Sequence, residues 1–238
     1  MSWLLLLEQS LNGLQFGLML FLLAAGLTLV FGIMDMINLA HGSLYMIGAF
    51  LTATLAQATG SFWLGVLLAL IATAGIGALL EFTLLRHLYR RDHLSQVLAT
   101  FALILISNET VRMIWGPQPL ALDAPAALSG AVEILPGLQY SAFRLAIIGV
   151  GLAVALLLYL LIGKTRIGMW VRAGASNREM AQAMGVNVSL VFSIVFALGA
   201  ALSALAGAML GPLLAVQVGM GENILILAFV VTVIGGIG

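Results

Sequence analysis

The feature that most constrains this chain is a series of long apolar runs separated by short polar segments. A helix rises about 1.5 Å per residue, so about 20 mostly apolar residues cross the roughly 30 Å hydrocarbon core of a bilayer. Charged residues make up 8% of the chain, against about 25% in soluble domains. The sequence therefore predicts an all-α, polytopic helical membrane bundle with about seven spans, at residues 11–33, 36–59, 62–85, 95–115, 142–163, 189–211 and 223–238.

A transmembrane β-barrel is the alternative spanning architecture, and the sequence argues against it. Barrel strands alternate apolar and polar residues over about ten positions, whereas the run from Leu145 to Ile162 is apolar on every face. A helix of that composition is typical of a segment surrounded by lipid and other helices.

Charge and motif content exclude several other classes of protein. Lys and Arg number 9 and Asp and Glu number 9, so no basic field indicates nucleic-acid binding. Cysteine is absent, which excludes disulfides and thiolate metal sites. The stretch Gly163-Lys164-Thr165 lacks the first glycine of a phosphate-binding loop and follows a membrane helix. We therefore predict no metal, no cofactor and no nucleotide site in this chain.

The basic residues predict the orientation. Seven of the nine Lys and Arg residues lie in two segments, residues 86–93 and 164–187, which fall on the same side by span parity. The segment from Gly116 to Ser141 carries Asp123 and Glu133 and no basic residue. The positive-inside rule makes the basic side cytoplasmic and the N-terminus external.

A polar interruption separates the first two runs. Asp35, Asn38 and His41 interrupt the apolar sequence, and Asn38 and His41 share a face if the segment is helical. One interpretation is a broken helix whose polar groups line a cavity at membrane depth. The other is a plain cytoplasmic turn between two spans.

Small and charged residues elsewhere have simpler interpretations. A four-residue repeat in the sixth run predicts a smooth stripe for close helix packing, formed by Gly199, Ser203, Gly207 and Gly211. In the fourth run Asn108, Glu109 and Arg112 cluster, and we interpret Glu109 and Arg112 as an ion pair near the membrane interface.

The segment from Ser176 to Gly185 predicts a short helix on the cytoplasmic side. It opens with helix-start residues and ends in a glycine that can stop a helix. Composition alone favours an interfacial anchor, with Arg166 and Arg172 facing anionic lipid.

Several motifs together resemble the permease family of high-affinity branched-chain amino acid transporters. They are Gly26–Met34, the Asn-x-Ala-His-Gly core within Ile37–Ala49, Thr165–Gly168, Met180–Asn187 and the terminal Gly235–Gly238. The resemblance covers nearly the whole chain in order. Asp35 departs from it, because that position is commonly Gly in the family.

The resemblance implies a single permease domain over residues 1–238, in a subunit without catalytic activity of its own. It implies a bacterial inner membrane and four kinds of partner: a second related permease, two cytoplasmic ATPases, a periplasmic binding protein and the lipid bilayer. Expected pathway or broken-helix residues are Asn38, His41 and Gly42. Expected ATPase-coupling residues are Glu179, Ala181, Ala183 and Gly185, the last allowing a tight exit from the helix.

The expected substrates are leucine, isoleucine and valine, or related amino acids and amides. The competing hypothesis is a secondary transporter driven by an ion gradient, with His41, Asp35 or Glu109 relaying protons. The sequence offers no pair of similarly interrupted helices to support it. Because family members continue past the terminal glycine motif, we also expect a missing C-terminal segment.

Overall fold

The computed structural model describes residues 3–36, 38–89 and 91–236. Each predicted apolar run forms a helix. These helices are α1 (Trp3–Met34), α2 (His41–Thr59), α3 (Phe62–Leu80), α5 (His93–Trp115), α6 (Ala142–Lys164), α9 (Val188–Leu210) and α10 (Met220–Gly235). The last predicted run extends to residues 237 and 238, which lie outside the described residues, as does part of the terminal glycine motif.

Among the described residues, five helical segments are long and apolar enough to cross a membrane: Trp3–Met34, Phe62–Leu88, His93–Trp115, Ala142–Lys164 and Val188–Leu210. The second of these joins α3, a π-helical turn (Glu81–Leu85) and α4 (Arg86–Leu88) into one span. The helices α2 and α10 complete the bundle. The chain is therefore a multi-pass helical membrane protein.

Helix α9 forms the centre of the bundle. It packs against α1, α2 and α3, and 56% of its most apolar stretch is buried, against 17% for α6 at the periphery. A helix that is apolar all round can take either position, since lipid and protein are both apolar neighbours. Packing, and not hydropathy, distinguishes the central helix from the peripheral one.

The small-residue stripe on α9 makes the close contacts that its spacing predicts. Gly199 lies against Gly26 of α1, Gly207 lies against the backbone of Tyr45 in α2, and Gly211 lies against Leu122. A Cβ atom at any of these three glycines would crowd the opposing atoms. The stripe thus brings two other helices and a loop close to α9.

The predicted loop between α5 and α6 is more ordered than expected. It contains a 3-10 turn (Ala126–Leu128) and an antiparallel hairpin of β1 (Ala131–Leu135) and β2 (Leu138–Ser141). Gly137 allows the turn between the strands, because its φ is +86°. We call this side of the bundle the hairpin face. The predicted all-α membrane bundle is therefore confirmed, and this short hairpin in a loop is an addition that the sequence did not predict.

The opposite side of the bundle, which we call the basic face, carries α7 (Arg166–Ser176) and α8 (Arg178–Ala183). The sequence predicted one short helix here, and the structure has two, separated at Asn177. Thr165 caps α7 by accepting the N–H of Gly168 at 3.2 Å. Arg86 and His87 border one cavity together with Gln182, so the two basic segments lie on one face, as the sequence predicted.

Candidate functional site

The chain between α1 and α2 enters the bundle instead of crossing its surface. Helix α1 ends at Met34, and Asp35 then adopts a φ of +51°. Asn38 is 1% exposed, and its Oδ1 accepts the N–H of Ala40 at 3.1 Å, at the start of α2. Asn38 and His41 were expected to share a face if their segment were helical. Asn38 lies before α2, which begins at His41, so the two do not share a helical face.

His41, the first residue of α2, lies at the junction of three helices. It is fully buried, and its Nε2 lies 2.7 Å from Ser203 Oγ of α9, with the donor set by the imidazole tautomer. A Cβ atom added to Gly26 of α1 would lie 3.0 Å from the same nitrogen. Gly26 is eight residues before the end of α1, a distance of about 12 Å along the helix. Helix α2 therefore begins well inside the bundle, which disfavours a plain surface turn.

Gly42 makes a reciprocal contact with Gly221, the second residue of α10. A Cβ atom on either glycine would overlap the carbonyl oxygen of the other. No side chain larger than hydrogen fits between the two backbones without a shift. The N-terminal ends of α2 and α10 consequently meet in the interior of the bundle.

Two interrupted helix pairs are related by these contacts. The pair α1 and α2 contacts the pair α9 and α10 at Gly26 with Gly199 and at Gly42 with Gly221. Helix α2 leaves toward the hairpin face, where Thr54 accepts from Trp115 at 2.6 Å. Helix α10 leaves toward the basic face, where Gly235 borders one cavity with Ile162 near the end of α6. The sequence did not predict that α10 begins in the interior as α2 does.

A polar pair beside this junction links α5 to α10. Asn108 Nδ2 donates to Glu222 Oε1 at 2.6 Å, and both side chains border the small space next to Gly42 and Gly221. Glu222 was not among the site residues predicted from the sequence. A carboxylate directly before the last apolar run was the available signal, because a charge at membrane depth is costly.

The residues proposed as a proton relay do not come together. Glu109 pairs with Arg112 at 3.1 Å with both side chains 54% exposed, as the spacing predicted. Asp35 is exposed at the end of α1, whereas His41 is enclosed by α1 and α9. No chain of hydrogen bonds joins these three side chains within the described residues.

A second polar cluster lies where the π-helical turn meets α9. The Glu81 side chain is fully buried and accepts from Arg86, from the Tyr89 hydroxyl at 2.8 Å and from Ser193. Burial and the Glu81 hydrogen bond both raise the pKa of Tyr89 above its usual range. This buried carboxylate was also missed from sequence, although a π-helical turn often marks a functional position.

Helix α8 is fixed at both ends. Asn177 accepts the N–H of Met180 at 2.9 Å at its start, and Gly185 at its exit has a φ of +86°. Arg178 donates to the Ile33 carbonyl of α1 at 2.9 Å. The helix is therefore held in a defined orientation against the end of α1.

The exposed surface of α8 differs from the one expected. Ala181 is 5% exposed and belongs to the cluster beneath the helix, so it offers no surface to a partner. Glu179 and Ala183 are exposed, as expected. Met180 and Met184 are 61% and 80% exposed, and we assign the surface to them in place of Ala181. Flexible, polarizable methionines suit an adaptable docking surface.

Within the described residues, no group of three or more His, Asp or Glu side chains is arranged to hold a metal ion. Lys164 ends α6 and Thr165 caps α7 directly. The candidate site consists of two parts: the buried break, which is the segment between α1 and α2 near His41, and the helix α8.

Comparison with known proteins gives consistent matches. Residues 9–238 match the family model described as branched-chain amino acid transport system, permease component. The chain is 32% identical over 194 residues to the high-affinity branched-chain amino acid transport system permease protein BraD of Pseudomonas aeruginosa, covering 76% of this chain and 62% of BraD.

Two further relatives carry similar names. The permease protein LivH of Salmonella typhimurium is 30% identical over 200 residues, covering 79% of this chain and 64% of LivH. A probable branched-chain amino acid transport permease protein, LivH of Methanocaldococcus jannaschii, is 30% identical over 177 residues, or 71% of this chain and 55% of that protein. The chain thus spans a little under two thirds of the length of the first two relatives. No solved structure gives a significant match.

Proposed function

The chain belongs to the family of branched-chain amino acid transport permease components, and from that premise we propose that it is the membrane-spanning subunit of an ABC importer. Residues 1–238 then form one translocation domain without catalytic activity. Partner ATPases in the cytoplasm supply the energy. The substrates are leucine, isoleucine and valine, or related amino acids and amides.

The observation that carries this proposal is the geometry of α8. A subunit driven by separate ATPases needs a docking surface that moves together with its spans. Met180 and Met184 are exposed on α8, while Ala181 on the same helix packs beneath it with residues of α1 and α9. Because one side of α8 is free and the other is packed on the spans, a force on the helix reaches the bundle.

The buried break supports a pathway beside Asn38, His41 and Gly42. Transporters commonly bind substrate near the membrane midplane, where discontinuous helices leave helix ends and backbone polar groups. Helices α2 and α10 both begin in the interior, and they meet at Gly42 and Gly221. In this proposal the pathway lies next to that junction, at the interface with a second permease subunit.

We place the basic face in the cytoplasm of a bacterial cell and the hairpin face outside the inner membrane. Arg86, Arg91, Lys164 and Arg166 are on the first of these faces, in agreement with the positive-inside rule. The hairpin of β1 and β2 then faces the periplasmic binding protein. The N-terminus is external, because α1 runs from the hairpin face to the basic face.

Cysteine labelling tests this orientation, and each label on this sequence reports the introduced position because the sequence has no cysteine of its own. Asp123 and Arg91 are both exposed, on the hairpin face and the basic face respectively. We use Arg91 because Arg90, the other choice in that segment, lies outside the described residues. A membrane-impermeant maleimide applied to whole cells should label Asp123→Cys and spare Arg91→Cys until the membrane is opened. Labelling of both in intact cells would overturn the topology.

The paired interruptions also favour a second candidate, a secondary transporter, because related broken helices are common in that class. The two candidates differ in their energy source. An uptake assay distinguishes them. The chain is purified from the host membrane with its co-purifying subunits and reconstituted into proteoliposomes for that assay.

The proposal expects leucine uptake that requires ATP and the loaded binding protein and that survives collapse of the proton and sodium gradients. If the chain alone took up substrate in proportion to an ion gradient and independently of ATP, the second candidate would be established and the first refuted. ATP-dependent uptake of urea or short amides in place of leucine would retain the importer and change its substrate.

A further inference from the structure

We propose that Arg178 is a positioning residue that ties α8 to the hinge between α1 and α2, so that movement of α8 changes the buried break. This inference rests on the proposed function, because it assigns α8 the role of receiving force from an ATPase. It adds the route by which that force enters the membrane-spanning part of the chain.

The tie is a charge-assisted hydrogen bond at the end of α1. The guanidinium of Arg178 donates to the Ile33 carbonyl at 2.9 Å. The last four carbonyls of a helix have no partner within the helix, and their partial negative charge attracts a cation. Arg178 is the first residue of α8, so the bond joins the start of one helix directly to the end of another.

The bond lies two residues from an unusual backbone conformation. Within the described residues, Asp35 alone among residues other than glycine has a positive φ, +51°. Side chains with a Cβ atom rarely adopt this region, and such strain often marks a switching position. A change in the angle between α1 and the following segment is therefore concentrated at Asp35.

The surroundings leave room for such a change. Gly32, Ile33 and Asp35 face Arg178 and Glu179 across an open cavity of about 490 Å³. The cavity lies on one side of the start of α8, while Ala181 packs with residues of α1 and α9 on the other. The two segments can therefore move relative to each other when the bond is altered.

A second contact of Arg178 connects the hinge to α9 and to the Glu81 cluster. Its guanidinium lies 5.3 Å from the centre of the Phe192 ring, and the ring packs edge-on against Tyr89. The Tyr89 hydroxyl donates to Glu81 and approaches Met34 Sδ at 3.6 Å. Arg178 thus touches α1 and α9 together, and both helices enclose His41 farther along the bundle.

The test compares Arg178→Gln with Arg172→Gln in the complete importer. Arg172 is a matched control, because it also donates to a carbonyl near a helix end, that of Ile162 in α6. Neither Arg172 nor its acceptor lies beside the Asp35 hinge. Arg178→Lys keeps the charge and one donor, so it tests rescue by a conservative change.

We expect Arg178→Gln to insert in normal amounts and to keep basal ATP hydrolysis. The stimulation of hydrolysis by loaded binding protein should fall about tenfold, since one charge-assisted hydrogen bond is lost. Arg172→Gln should keep the stimulation, and Arg178→Lys should restore part of it.

A reporter at the hinge separates a positioning role from a purely structural one. A Cβ atom added at Gly32 meets nothing within 4 Å, so Gly32→Cys is a mild reporter that borders the cavity. In the parent, its rate of modification by a polar maleimide should change when ATP and loaded binding protein are added. In the Arg178→Gln background that change should be absent.

Equal stimulation in Arg178→Gln and the parent, or a change in Gly32→Cys reactivity that persists without Arg178, would overturn the inference and leave the proposed function intact. Failure of the parent itself to couple ATP to uptake would instead refute the proposed function.

Discussion

The imidazole of His41 and the hydroxyl of Ser203 lie 2.7 Å apart, which joins the first residue of α2 to the middle of α9. Both side chains are fully buried, and Ser203 also donates within α9 to the Gly199 carbonyl at 3.1 Å. The pair is a polar contact between two helices whose closest approaches are made at small residues, such as Gly48 against Ala204. It fixes where α2 begins relative to the centre of the bundle.

Replacing Ser203 by Ala should destabilise the fold. His41 Nε2 would lose its partner in the interior, and a buried unsatisfied polar group costs about 1–3 kcal/mol. The midpoint of thermal unfolding in detergent should therefore fall. Ser10→Ala is the control, since Ser10 is exposed and bonds the Leu6 carbonyl of its own helix. Equal midpoints for the two variants would show that the pair adds no stability.

Changing both Asn38 and His41 to Leu should reduce transport while leaving membrane insertion intact. Leucine is well tolerated in an apolar bundle, but it removes the polar groups at the start of α2. Uptake per inserted subunit is the measurement. Thr110→Leu serves as control, because Thr110 is exposed and bonds its own helix at Ile106. Normal uptake by the double variant would show that transport does not need the polar side chains at the start of α2.

Adding a methyl group at Gly42 or Gly221 should force the ends of α2 and α10 apart. Overpacking of this kind costs about 1–3 kcal/mol, so Gly42→Ala and Gly221→Ala should both unfold at lower temperature. Gly75→Ala is the matched control: a Cβ atom there meets nothing within 4 Å, and alanine is favoured over glycine in a helix by about 0.5–1 kcal/mol. If the first two variants unfolded at the same temperature as the control, the close contact would be refuted.

Gly185→Val should impair the exit from α8. At a φ of +86° the left-handed conformation costs an ordinary residue about 1–2 kcal/mol, and a β-branched one more. We expect normal insertion with loss of hydrolysis stimulated by loaded binding protein. Gly185→Asn should behave more like the parent, because Asn adopts this region more readily. Full stimulation in the valine variant would indicate that α8 is an interfacial anchor.

Charge changes on the exposed side of α8 test the docking surface. Met184→Glu and Glu179→Arg should each weaken association with the ATPase subunits, because they place a new or opposite charge in the expected contact. Co-purification of the ATPases measures this directly. Glu179→Gln is a milder control at the same site, and Ala183→Ser changes little in size. Undiminished co-purification of both charge variants would move the ATPase contact away from α8.

Much of the architecture was predictable because its signals are local in sequence. Each apolar run became a helix, and the i, i+3 spacing of Glu109 and Arg112 gave the ion pair observed at 3.1 Å. Gly185 ended α8 with a positive φ, as a glycine in that position indicates. The four-residue repeat of small residues on α9 likewise predicted close packing.

Other features depended on neighbours that the sequence does not identify. Ala181 and Met180 are adjacent, and a six-residue helix is too short for its pattern to show which side is buried. Glu81 lies within an apolar run and Glu222 directly before one, and their partners Ser193 and Asn108 are 112 and 114 residues away. The hairpin after α5 was missed because its strands are short and mostly exposed.

The sequence by itself determined that this is a polytopic membrane protein and which segments are helical, because hydropathy and helix geometry act within about 20 residues of chain. The tertiary structure alone decided that α2 and α10 begin inside the bundle and meet at Gly42 and Gly221. A helix that starts in the interior and one that starts at the membrane surface have the same local composition. What distinguishes them is whether two distant backbones can approach closely, and that depends on which glycines the fold places opposite each other.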